Sequence, residues 1–268
     1  MKKTYSLSHK KYLSKLRNQS FFVHFFRILL LAALLGLWEL IAHFNIVDPF
    51  LISSPSRIAK TFIDLLSSGA LFNHTLVTLY ETALAFLIST ILGAAVAIVL
   101  YLIPAIRRVL EPYLVILNSL PKVALGPLII VWVGIGTKAI VTMGILICIV
   151  ITTISLLNGY LEVEEEKRKL LKTMGANKMQ ELFHLIIPAT LPNFISVLKI
   201  NVGMSWVGVI MGEYLSSKAG LGYLIVYGGQ VFKLDLVMTA IVVLCVLAGI
   251  MYGLIAALEK YINKKRNL

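Results

Sequence analysis

Residues 169–192 read KLLKTMGANKMQELFHLIIPATLP, a stretch that opens with charge, breaks at Gly175 and closes with Pro188 and Pro192. Just upstream, Glu162, Glu164, Glu165 and Glu166 precede Lys167, Arg168, Lys169 and Lys172. Acids at the positive start of a helix and bases toward its end predict a helix that stops near Met174. Gly175 fits the position after a helix end, where the left-handed backbone is cheap for glycine. Asn177 with Gln180 three residues on has the spacing of a capping box, which predicts a second helix turning Leu182, Phe183 and Ile186 inward. The prolines then interrupt helical hydrogen bonding and bend the chain. The segment 159–186 is therefore read as a helix-turn-helix elbow, with Lys172, Thr173, Met174, Ala176 and Asn177 at its tip. By itself the elbow fits a docking knob and a charged interhelical loop equally well.

The surroundings of the elbow are far more apolar. Of 268 residues 59% are hydrophobic and 14% charged, and the mean hydropathy is +0.88, which excludes an ordinary soluble domain. A hydrocarbon layer of about 30 Å needs roughly 20 apolar residues in a helix. Six stretches meet that requirement: 27–44, 74–103, 112–133, 138–157, 187–214 and 236–258, the second and fifth long enough to tilt, kink or extend beyond the bilayer. Lys and Arg crowd one side, with seven up to Arg27, two at Arg107 and Arg108, five in 158–186 and four from Lys260 on. The other side carries Arg57, Lys60, Lys138, Lys218 and Lys233. The positive-inside rule then places both termini in the cytoplasm. The net charge of +12 is explained by these flanks; no basic stripe interleaved with aromatics points to nucleic acid, and the bilayer is the expected partner.

A retained first span is expected, because the Lys-rich leader and apolar run are followed by no small-residue cleavage site. Residues 1–26 read as a basic cytoplasmic segment, 27–258 as one transmembrane domain and 259–268 as a basic cytoplasmic tail. In SSPSRIAKTFIDLLSSG, Ser54 before Pro55 predicts the cap of a short outer interfacial helix with Ile58, Phe62 and Leu65 or Leu66 on one face.

Chemistry is sparse. Cys148 and Cys245 sit inside apolar runs, and His9, His24, His43, His74 and His184 are scattered, so neither a disulfide framework nor a metal site is expected. No phosphate-binding loop or nucleophile motif occurs, so no enzyme activity is read; Gly134, Gly136 and Lys138 only approach the former. Ionisable residues in spans are functional candidates, which singles out Glu39 and Lys122. For Glu81, Lys199 and Glu213 an interfacial side chain that snorkels or packs against a helix end explains the residue at least as well. Pro121 and Pro127 bracket an expected kink at a path or gate, and Gly203, Ser205, Gly208 and Gly212 offer small residues for helix packing. Gly220 and Gly222, in AGLGY, suit an outer turn at a gate or a plain connection. Asn118, Ser119, Lys122, Asn201, Ser205 and Trp206 are the available polar donors for a solute.

The pattern Gly175, nine residues, Leu185, any residue, Ile187, Pro188 resembles the EAA signature of permease subunits of ATP-binding-cassette importers (EAA, three residues, Gly, nine residues, Ile, any residue, Leu, Pro). The Glu-Ala-Ala positions are here Lys169, Leu170 and Leu171. SSPSRI at 53–58, LNSLPKVALGPLIIVWVGIG at 117–136 and GEYLSSKAGLGYLI at 212–225 are similar, in order and spacing, to the nitrate, sulfonate, taurine and aminopyrimidine branch. The resemblance implies an all-α type I (MetI-like) permease fold in a bacterial plasma membrane, working as a homodimer with a separate ATPase subunit and an extracytoplasmic substrate-binding protein. ATP and Mg would sit on the ATPase, with no cofactor in this chain. The coupling residues would be Lys169, Leu170, Leu171, Lys172, Thr173, Met174, Gly175, Ala176, Asn177 and Pro188. The path or gate would draw on Glu39, Ser119, Pro121, Lys122, Pro127, Asn201, Ser205, Gly220 and Gly222. The main rival is an ion-coupled secondary transporter, which would need inverted repeats and paired ionisable residues at mid-membrane. A membrane-anchored enzyme would need a soluble catalytic domain, for which the chain is too short and apolar.

Overall fold

The structure, a computed structural model, describes residues 7–265, with side chains from Phe22 onward except His24, Pro49 and Leu51. The first six residues of the basic leader, the last three of the tail, and the side chains of His9 and His24 lie outside the described residues. Every regular element among the described residues is helical: α1 (Leu7–His43), α2 (Pro49–Ile52), α3 (Pro55–Ser67), α4 (Ala70–Leu102), α5 (Pro104–Ser119), α6 (Gly126–Val133), α7 (Thr137–Leu161), α8 (Glu165–Thr173), α9 (Lys178–Glu181), α10 (Ile187–Ser216), α11 (Leu221–Gln230) and α12 (Leu234–Lys265). A 3-10 turn (Lys122–Leu125) precedes α6, and a π-helical turn (Leu182–Ile186) joins α9 to α10.

Five described helical stretches are each long and apolar enough to cross a bilayer: Phe25–His43, Ala70–Leu102, Thr137–Leu161, Lys178–Ser216 and Leu234–Lys265. The third expected span, 112–133, is not a single helix. α5 and the stretch Lys122–Val133 meet at 88°, and only when this bent pair is counted as one span does the total reach six. The break falls at Leu120–Pro121, just before the 3-10 turn, where proline removes a donor and disfavours helix in the residue before it. The expected boundaries at 26/27 and 258/259 fall inside α1 and α12, which run unbroken through them.

The core is the triple α4–α7–α10. Sequence explains why these three approach one another closely. Gly144 on α7 faces Gly208 on α10, and a Cβ at Gly208 would lie 2.6 Å from the Gly144 Cα. A Cβ at Gly212 would lie 2.8 Å from the Ile140 Cα, and one at Gly93 would lie 2.7 Å from Thr152. Small residues at these crossings allow the backbones into contact. Gly203, grouped with them by sequence spacing, lies on an exposed face with nothing within 4 Å.

Around this triple, α11 and α12 enclose a second apolar cluster of Leu221, Leu224, Leu236 and Ala240. α1 and most of α12 present Leu, Ile and Phe outward, as expected of lipid-facing helices. Ser54 caps α3 by accepting from the Arg57 N–H; Ile58 is buried and Leu65 packs half-buried against the second cluster, while Phe62 and Leu66 are exposed.

The glycine contacts predict opposite outcomes for two similar substitutions. Gly208→Ala forces α7 and α10 apart and is expected to destabilise the protein by about 1–3 kcal/mol. Gly203→Ala meets open space and gains helix propensity, so its stability is expected to be unchanged or slightly raised. Thermal unfolding in detergent, monitored side by side for the two variants, checks the contrast.

Candidate functional site

The elbow is built by two successive caps. α8 ends in a Schellman arrangement: the Gly175 N–H donates to the Lys172 carbonyl and the Ala176 N–H to the Leu171 carbonyl, both at 3.0 Å. Gly175 has φ +82°, a conformation that carries little penalty only without a Cβ. The next residue but one starts α9 through a complete capping box. The Gln180 N–H donates to Asn177 Oδ1 at 2.9 Å and the Asn177 N–H donates to Gln180 Oε1 at 2.8 Å.

Four contacts fix this double turn, three of them reaching the end of α4. Arg168 Nε donates to Glu181 Oε1 at 2.7 Å, and the Tyr101 hydroxyl donates to the same oxygen at 3.0 Å. The Arg168 guanidinium also lies 5.7 Å from the Tyr101 ring centroid. Lys178 Nζ donates to the Leu102 carbonyl at 3.1 Å, satisfying one of the free carbonyls at the end of α4. Glu181 is only 3% exposed, so its charge depends on these donors, and its carboxylate in turn holds the Arg168 guanidinium still more firmly protonated.

Two expectations about the elbow need correction. The second helix is not a separate element, because α9 continues through the π turn into α10 as one stretch, Lys178–Ser216. Pro188 falls in the first turn of α10, where a missing N–H is harmless once the preceding turn has widened to π geometry. Phe183 does not face inward; it is 57% exposed, while Leu182 and Ile186 are fully buried. Of the three signature positions, Lys169 pairs with Glu165 on the surface, Leu170 is exposed and Leu171 is half-buried.

The expected path residues separate into three groups. Ser119, Pro121, Lys122 and Pro127 lie together at the α5–α6 bend, exposed or half-buried, with Lys122 Nζ donating to the Asn118 carbonyl at 3.2 Å. Asn201 and Ser205 are instead sealed inside the chain's own bundle with no exposed surface. Thr152 on α7 donates to Asn201 Oδ1 at 3.0 Å, Asn201 Nδ2 donates to Thr90 on α4 at 3.1 Å, and Ser205 contacts Cys148 at 3.5 Å. In the dry centre of a bundle such bonds join helices, and these two side chains tie α10 to α4 and α7. Glu39 accepts from the Ser56 N–H and hydroxyl at 3.0 and 2.7 Å and so stabilises the start of α3.

Gly220 and Gly222 form the third group, at the end of the bundle away from the elbow. The first three donors at the start of α11 each meet a side chain from another helix. The Gly220 N–H donates to His74 Nδ1 at 3.0 Å, the Leu221 N–H to Thr78 Oγ1 at 2.7 Å and the Gly222 N–H to Glu213 Oε2 at 2.5 Å. A Cβ on Gly222 would lie 2.7 Å from Glu213 Oε2, and one on Gly220 would also run into that carboxyl. The glycines of AGLGY therefore make room for an acid. Glu81 and Glu213, read from sequence as plausibly interfacial, are each only 1% exposed, and Lys199 forms an ion pair with Glu259 on α12.

With bend, elbow and capped turn in place, comparison with known proteins becomes specific. Residues 89–265 match the family model described as the binding-protein-dependent transport system inner membrane component. The chain belongs to this family. The permease is 31% identical over 190 residues to the formylaminopyrimidine transport permease protein ThiX of Halalkalibacterium halodurans, covering 71% of this chain and 75% of that one. It is 27% identical over 243 residues to a putative aliphatic sulfonates transport permease protein, SsuC, of Bacillus subtilis, covering 90% and 87%. The taurine transport system permease protein TauC of Escherichia coli is 25% identical over 235 residues, covering 86% of each chain. Among solved structures, the fold matches an inward-facing MetNI methionine ABC transporter chain (TM-score 0.64, 20% identity, 75% of this chain and 97% of that one). It also matches a bacterial ABC transporter for alginate import (TM-score 0.66, 13% identity, 95% and 97%). The protein is thus the permease subunit of an ABC importer.

Sequence reading of the permease missed Arg168, Glu181 and Tyr101 as a unit. Arg168→Ala leaves the Glu181 carboxylate buried with Tyr101 as its remaining side-chain donor. A loss of about 3 kcal/mol is expected for stranding such a charge. The measurement is a thermal shift, with Arg168→Ala/Glu181→Gln expected to recover part of the loss because no buried charge then remains.

Proposed function

We propose that the elbow is the coupling element of this permease, seated in the cytoplasm on a separate ATPase subunit that binds ATP and Mg. The observation that carries the reading is a set of large apolar side chains left uncovered on an otherwise charged projection. Leu170 is 62% exposed, Met174 75% and Met179 50%, and the first two stand four residues apart on one helix face. Caps on both sides of Gly175 make that surface rigid, which suits transmission of a push. Lys169, Lys172, Thr173, Ala176 and Asn177 surround it, and Pro188 lies where it joins the span.

In this reading 27–258 is one transmembrane domain with both basic ends in the cytoplasm of a bacterial cell, and two copies enclose the path. Exposed residues at the α5–α6 bend, Ser119, Pro121, Lys122 and Pro127, face that path, and the Gly220–Gly222 turn gates it on the outside. The solute is a small polar molecule of the sulfonate, taurine, nitrate or aminopyrimidine kind, delivered by an extracytoplasmic binding protein. ATP closure of the ATPase dimer would exchange inward- and outward-open arrangements.

Leu170→Asp and Met174→Asp test the coupling reading with little risk to folding, since both side chains are already in water. Co-purification with the co-expressed ATPase is expected to fall at least about tenfold for each variant, with unchanged thermal stability. Undiminished binding of both variants would remove the elbow from the interface.

A further inference from the structure

The far end of the bundle holds two acids that the importer reading does not use. Glu81 on α4 and Glu213 on α10 are each 1% exposed, and their carboxyls lie within hydrogen-bonding reach of one another. Glu213 Oε2 is committed to the Gly222 N–H. Glu81 Oε2 and Glu213 Oε1, by contrast, are buried without a hydrogen-bond partner, although the Thr78 hydroxyl and the Tyr223 N–H also approach the Glu213 carboxyl. Two ionised carboxylates cannot share so dry a place, since each repels the other and neither is hydrated. One proton removes both difficulties at once, because a protonated carboxyl donates to its ionised neighbour.

Among the described residues no cation forms an ion pair with either carboxyl. α4 adds His74, whose Nδ1 is occupied as acceptor for Gly220, and α11 adds Tyr223, stacked on His74 at 5.9 Å. α7 contributes the Thr137 hydroxyl toward Glu81, with Lys138 next to it exposed on the surface. Lys218, on the loop after α10, is exposed and forms no ion pair among the described residues. A route from water exists: Glu81 lines a cavity of about 580 Å³ with Val77, Gly136, Thr137, Ser216 and Lys218.

We propose that Glu81 and Glu213 form a proton-binding site, one proton shared between them, that fastens α10 to α4 beneath the α11 turn. A proton from bulk water enters through the cavity and adds to one carboxylate, and the new O–H donates to the other. Opening this end would hydrate both groups and release the proton. The closed arrangement therefore binds one proton more than the open one, and it loses stability as pH rises.

The test needs neither ATPase nor solute, so its failure is distinct from failure of the importer reading. Infrared difference spectra of the purified permease in lipid are recorded between about pH 6 and about pH 9, a range in which ordinary carboxylates stay ionised. The wild type is expected to show a protonated-carboxyl C=O band that disappears at the alkaline end, and that is lost in Glu81→Gln and in Glu213→Gln. Glu81→Gln keeps the Glu213–Gly222 bond and reports even if Glu213→Gln fails to fold. Its unfolding temperature is expected to lose the alkaline decline seen in the wild type. Absence of the band in the wild type, or its persistence in Glu81→Gln, overturns the proposal. So does removal of the band at constant pH by sodium chloride, which would make the site one for a metal cation.

Discussion

A hydrocarbon interior offers no water to a stray donor or acceptor, so every polar atom kept there must find its partner within the bundle. In this permease that constraint centres on Asn201. Its amide takes a hydrogen bond from α7 and gives one to α4, so a single side chain on α10 ties the three central helices together. The glycine crossings at Gly93, Gly208 and Gly212 bring the backbones close enough for this to happen. The outer helices and the bent pair are arranged around this triple.

The two ends of α10 are secured in different ways. At the elbow, capping is local: Gly175, Asn177 and Gln180 satisfy their own neighbours, and the Arg168–Glu181 pair with Tyr101, together with the Lys178 bond to the Leu102 carbonyl, holds the result against α4. At the other end it is entirely long-range, since the start of α11 has its N–H groups capped by His74, Thr78 and Glu213 from two other helices. An unpaired helix start in a membrane is costly, and three borrowed acceptors remove that cost.

These differences explain what could be read from sequence. The elbow was legible because a Schellman turn and a capping box are written within a dozen residues. The location of the bend was legible from Pro121 and Pro127, but its angle was not, since proline marks where hydrogen bonding fails and says nothing about where the chain goes next. The burial of Asn201 and Ser205 was not legible, because a span apolar on all sides gives no periodicity from which to tell an inward face from a path. His74, Thr78 and Glu213 left no local signal at all; the nearest trace was the glycine spacing of AGLGY, whose need for room became clear only with the Glu213 carboxyl in view. The Glu39 contact was hidden for a related reason, as its partner Ser56 belongs to a short helix beside the span rather than to the span itself.

The π turn at Leu182–Ile186 makes the elbow and the far-end acid parts of one rod. Glu181, clamped by Arg168, and Glu213, seated under Gly222, are carried on the same unbroken helical stretch, Lys178–Ser216. At about 1.5 Å per residue they stand roughly 48 Å apart. Turned a few degrees about Asn201, roughly 30 Å from Glu181 and roughly 18 Å from Glu213 at that rise, such a rod would shift the elbow by about 2 Å and the acid by about 1 Å, comparable to the helix displacements that separate conformational states in proteins generally. With the elbow as coupling element, the stiffness of this one helix would carry a displacement across the membrane without a relay of side chains.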